Sequence, residues 1–179
     1  MTYKDVYRFW FEEIDSSMWW KKSDAFDKRV TSEFSIVLAA AAVGELDSWR
    51  ESPQGRLSEI IVLDQFSRNI YRNTANAFAQ DVTALILAQE AVSLGILDDL
   101  PTAERSFLLM PYMHSESLYI HDQAERLFKQ YTSEQSYQFE LKHKAILDRF
   151  GRYPHRNDIL GRTSTEEELS FLQQPGSSF

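Results

Sequence analysis

The densest chemistry in the chain lies in Arg149–Asn157, reading Arg-Phe-Gly-Arg-Tyr-Pro-His-Arg-Asn, with Leu160-Gly161-Arg162 just behind it. Four arginines, a histidine and two aromatics surround a Gly and a Pro that interrupt helix, in a protein of net charge -8. Such a local reversal of charge suits an anion, because guanidinium groups present planar, paired donors that match carboxylate and phosphate oxygens. Arg152, His155, Arg156, Asn157 and Arg162 are therefore candidate ligand contacts. The same residues have a structural alternative, in which the arginines cap helix C-termini and pair with carboxylates of an acidic chain.

Two further constellations could do chemistry. In Leu57–Tyr71 apolar residues cover most of the circumference, which marks a central helix. At 100° per residue Asp64 and Arg68 share the stripe of Leu57 and Ile61, so the spacing predicts an ion pair held against protein. Arg68, Asn69 and Arg72 are candidate contacts from this helix to a pocket shared with the arginine-rich loop. Farther on, His114, Ser117, His121 and Glu125 fall on one helical face, a conceivable but weak metal stripe that lacks the His-Glu-x-x-His pattern. His143 sits on an apolar face with Phe139, Ile146 and Leu147. Either it is a buried, hydrogen-bonded histidine or it is a general base beside Glu116 or Asp64. The acid–base candidates are thus His114, Glu116 and His143, with no metal and no cofactor expected.

The elements that must position these groups read as helices. Ser23 caps a segment running to Val43 before Gly44, and Pro53 and Gly55 open the central helix. Further helices are expected at Asn76–Leu94, Thr102–Met110 before Pro111, Ser115–Tyr131 and Ser133–Phe150 before Gly151. A last one opens with the capping box of Thr165 and Glu168, and a short aromatic helix covers about Tyr3 to Glu13. No alternating β-branched segment bounded by turns appears, so the fold class is all-α, a single helical domain over 1–179. Trp10, Trp19, Trp20 and Trp49 read as packing residues rather than a ligand box. A pI near 5 argues against a nucleic-acid partner, and no apolar run is long enough to span a bilayer. With no cysteine and no signal-like N-terminus, a cytoplasmic location is expected.

Taken together, Trp10-Phe11, Asp64-Gln65-Phe66-x-Arg68-Asn69, Pro111-x-x-His114-Ser115-Glu116, Phe150-Gly151-Arg152-Tyr153-Pro154-His155-Arg156-Asn157, Leu160-Gly161-Arg162 and Ser164-Thr165-x-Glu167-Glu168 resemble a bacterial family known as domain of unknown function 924. The resemblance covers nearly the whole chain. It implies antiparallel helix pairs in a tetratricopeptide-like right-handed superhelix and implies no activity. Two positions depart from the family pattern: Tyr112-Met113 stands where Leu-Glu is expected and Ser117 where an acid is expected. Both weaken any metal site built on those carboxylates.

The leading functional expectation is a helical module that binds a small anionic molecule, or a peptide carboxylate, in an arginine-lined pocket. The alternative is a hydrolase or transferase acting on a phosphorylated or carboxylated small molecule through a histidine. Fully paired, buried arginines would instead favour the structural alternative.

Overall fold

The computed structural model describes residues 1–178. Helix α1 (Tyr3–Arg8) runs into a π-helical turn, Phe9–Glu13, and then a 3₁₀ turn, Ser16–Trp20. Helix α2 (Asp24–Ala42) is followed by α3 (Pro53–Ile61), which passes through a second π turn, Val62–Phe66, into α4 (Ser67–Ile70). After a 3₁₀ turn at Ala75–Phe78 come α5 (Asp81–Ser93), α6 (Thr102–Met113), α7 (Leu118–Tyr131), α8 (Glu134–Phe150) and α9 (Glu166–Leu172). No strand occurs among the described residues.

Local signals account for most of these boundaries. The Ser23 hydroxyl accepts from the Phe26 amide at the start of α2, and Thr165 and Glu168 close a reciprocal capping box on α9. Gly151, at φ 68°, ends α8 in the left-handed region that glycine adopts without strain. At Gly55 a Cβ would lie 1.9 Å from the Trp49 carbonyl oxygen, so only glycine lets α3 pack against the 3₁₀ turn Asp47–Glu51.

Three expectations are corrected. Pro111 does not stop α6, which continues to Met113. A proline removes only its own N–H, and Phe107 through Met113 are all buried, so packing carries the helix one further turn. The helix expected at Asn76–Leu94 is broken, with α5 beginning only at Asp81, where an acidic residue meets the positive end of the dipole. The Ser115–Ser117 segment stays outside α7, and the Ser115 carbonyl is bonded by the His121 ring instead.

The core is built around α3 and its π turn, where Leu57, Ile60, Ile61, Val62, Leu63 and Phe66 are at most 1% exposed. Each such burial is worth about 1.5–3 kcal/mol. Helices α5 and α6 flank it, α6 packs on α7 and α7 on α8. Trp10 and Trp49 join this core and Trp19 packs on it, but Trp20 is 65% exposed, stacked on Phe107 and Phe139. After α8 the chain folds back on the turn between α6 and α7. There the Tyr153 hydroxyl donates to the Met113 carbonyl at 2.6 Å, and Tyr153 joins a small second cluster with Ile146 and Leu147.

Candidate functional site

Asp64 lies in the π turn between α3 and α4, an insertion of one residue that is frequent at functional positions. Its side chain is 1% exposed, with Oδ1 at 2.7 Å from His114 Nδ1 and 3.1 Å from Arg68 Nη1, and Oδ2 accepting from Gln65 at 2.6 Å. Burial alone would raise the Asp64 pKa, but Arg68 and then His114 overcome it and hold the carboxyl well below the usual range. An ionised Asp64 can only accept, so Nδ1 of His114 carries the proton. Burial, and next the Arg68 charge, lower the His114 pKa against the opposing pull of Asp64. The ring is therefore neutral at pH 7. Nδ1 is turned to a buried carboxylate, which leaves Nε2 as the ring nitrogen on the open side.

That side is a cleft of about 370 Å³ lined by His114, Ser115, Glu116, Asp81 and Arg156. Its apolar wall comes from Ala75, Phe78 and Ala79 and from Val82 and Leu85 of α5. Pro111 and Leu160 add to it. The extra turn of α6 beyond Pro111 brings His114 to the helix end, with its amide bonded to the Met110 carbonyl at 2.9 Å.

Asp81, in the first turn of α5, binds two guanidinium groups. Arg68 engages both its oxygens, at 2.8 and 3.0 Å, and Arg156 reaches Oδ2 at 3.2 Å. Arg156 also donates to the His114 carbonyl at 3.0 Å and lies between the rings of Phe78 and Tyr153, 4.5 and 4.7 Å from their centroids. Its Nε is buried without a partner among the described residues. Glu116 accepts two bonds from Arg162, at 2.6 and 2.9 Å, and one from the Tyr153 amide at 2.6 Å. Burial would raise the Glu116 pKa, but the Arg162 bonds prevail and lower it.

Of the residues singled out in the sequence, His114, Glu116 and Arg156 line the cleft, while Arg68 and Arg162 stand behind it, bound to Asp81 and Glu116. The others do not join the cleft. Asn69 and Arg72 both bind Asp27 of α2. Arg152 forms two bonds with Glu168, at 2.6 and 2.7 Å, and donates to the Thr163 carbonyl. Asn157 donates to the Ser164 hydroxyl. His143 bonds the Phe139 carbonyl at 2.7 Å, and burial pushes its pKa down to about 3. His155 packs by Tyr153, its pKa lowered to about 4 by burial and then by Arg156.

The His114–His121–Glu125 stripe does not assemble as a metal site. His121 is fully buried, with Nδ1 at 2.7 Å from Glu140. Among the described residues no cluster of three or more histidine, aspartate or glutamate side chains could hold a metal ion. Nor is any helix there long and apolar enough to cross a membrane.

Asp81, Phe78 and Glu140 had no sequence signal for these positions. Asp81 lies 13 residues from Arg68, across a turn. The Asp64–His114 contact spans 50 residues, and nothing local announces it.

An all-helical protein with a carboxylate-held histidine at a mixed cleft matches no single class of activity by geometry alone. Residues 6–176 match the family described as bacterial protein of unknown function (DUF924). The chain belongs to that family. Among solved structures it is similar to a protein of unknown function, ATU0120, from Agrobacterium tumefaciens, with 34% identity, 96% of each chain covered and a TM-score of 0.91. No curated protein matches the chain.

Proposed function

We propose that the cleft performs acid–base chemistry, hydrolysis or group transfer, on a small carboxylated or phosphorylated molecule, with His114 as the general base. The observation that carries this reading is the 2.7 Å contact of His114 Nδ1 with the buried Asp64, on a histidine that lines an open cleft. A carboxylate at Nδ1 fixes the tautomer and stabilises the imidazolium that forms during turnover. In hydrolysis, Nε2 takes a proton from a water whose oxygen attacks the acyl carbon or phosphorus. The same proton then passes to the leaving group as its bond breaks. Asp64 is a positioning residue, and Arg156 contacts the anionic group.

A second reading, in which the arginines are structural, is supported by how fully they are engaged: Arg68, Arg152, Arg156 and Arg162 each already meet a carboxylate. In either case a tetratricopeptide-like superhelix in the cytoplasm is part of the proposal. The packing of α5 on α6, α6 on α7 and α7 on α8 supports that arrangement.

The test is turnover of a panel of carboxylic and phosphate esters by wild type and His114→Gln. Loss of about 10²–10⁴ in rate, with anion binding kept, is expected of a general base. Anion binding by both proteins with turnover by neither would leave a binding module, and neither binding nor turnover would establish the second reading.

A further inference from the structure

Resting on the reading above, we infer that the cleft takes an aliphatic carboxylate or its acyl derivative. The head lies at the N-terminus of α5 beside Arg156, and the chain lies along the Val82 face of that helix. Three independent features point there. First, α5 is a 13-residue helix whose N-terminus has no side-chain cap, so its first amides keep unused donors at the positive end of the dipole. Second, Asp81 in that turn is already committed to two guanidinium groups, whereas Arg156, 6% exposed and part of the cleft lining, has an incomplete donor set. Each of its terminal nitrogens makes one bond and carries a second hydrogen. The carboxylates of the cleft are by contrast filled, Asp81 by Arg68 and Glu116 by Arg162. The spare capacity is for an acceptor with negative charge, not for a cation.

Third, the wall beside this donor cluster is apolar and uncovered. Val82 is 68% and Ile86 57% exposed, one helical turn apart on the same face, and Leu85 and Phe78 continue the surface into the cleft. Singly exposed aliphatics are ordinary, but a β-branched pair leading away from a donor cluster has the layout of an amphiphile site. From Asp81 to Ile86 the helix rises roughly 7–8 Å, enough for a short to medium straight chain.

Isothermal titration with straight-chain carboxylates from acetate to octanoate, and with the matching alkylammonium ions, tests the inference on the intact chain. The dissociation constant should fall about two- to fourfold for each added methylene, the upper figure corresponding to full burial of the group. Alkylammonium ions should not bind. Val82→Ser, a neutral change at a site exposed enough to leave the fold intact, should flatten the gradient. A flat series, equal binding of the ammonium ions, or a gradient that survives undiminished in Val82→Ser would each overturn the inference. Because binding alone is read, the result stands apart from whether His114 supports turnover.

Discussion

Replacing Asp64 with Ala should cost about 3 kcal/mol of folding stability at pH 7. The side chain is 1% exposed and meets three partners, His114 at 2.7 Å, Gln65 at 2.6 Å and Arg68 at 3.1 Å. Removing one member of a buried ion pair typically costs about 3–5 kcal/mol, because the charge left behind has no counterpart. Here the lower end applies. Arg68 keeps both bonds to Asp81, and His114 is neutral, so neither partner is stranded as a bare charge. The loss is dominated by hydrogen bonds to an ionised acceptor and by the space left in the core. Urea unfolding of wild type, Asp64→Ala, Arg68→Ala and the double variant gives the cost and the coupling, read as midpoint shifts at constant slope. Contacting residues should couple by at least about 0.5–1 kcal/mol. Single costs below about 1 kcal/mol, with additivity in the double variant, would refute the buried pair and the orientation of His114 that depends on it.

The histidines set the pH dependence of stability. His143 is pushed down to about 3, His155 to about 4, and His114 below its ordinary value, all chiefly by burial, so these rings stay neutral in the folded chain at pH values where the unfolded chain takes up protons. The contribution is complete above about pH 6.5 and is lost as pH falls below it, continuing towards 4 for His143 and His155 by up to about 1.4 kcal/mol per pH unit each. Glu104 and Glu140, raised by burial, oppose the trend at its acid end. Urea midpoints between pH 7 and 4 check this, and stabilisation on acidification would contradict it. Arg152→Ala should lower the melting temperature equally with and without phosphate at constant ionic strength, because Arg152 is committed to Glu168 and the Thr163 carbonyl. A thermal shift induced by phosphate in wild type and absent from that variant would return Arg152 to the ligand contacts.

Helical class and core were legible because their signals are local. Ser23, Thr165 and Gly151 act within a turn, and the all-round apolar pattern of Leu57–Tyr71 marks the central helix from its own residues. Spacing also gave the Asp64–Arg68 pair, since i and i+4 share a face. The cleft was legible only in part. His114 and Arg156 stood out by residue type, but their partners Asp64 and Asp81 lie 50 and 75 residues away. Arg152 and Arg156 look equivalent in sequence, yet one meets Glu168 of α9 and the other turns into the cleft between two rings. Pro111 misled because its neighbours are buried on every side, and tertiary packing outweighed a local helix breaker.

Asp64 holds His114 as a neutral base with Nε2 towards the cleft. Nitrogen-15 NMR of the imidazole rings, assigned with His114→Gln, tests this without any substrate. At pH 7 His114 should carry its proton on Nδ1, leave Nε2 bare, and titrate below the ordinary histidine range. Replacing Asp64 with Asn, which removes the charge that pulls the pKa upward, should lower that titration further. A proton on Nε2 with Nδ1 bare, or titration above the ordinary value, would rule out a base held by Asp64.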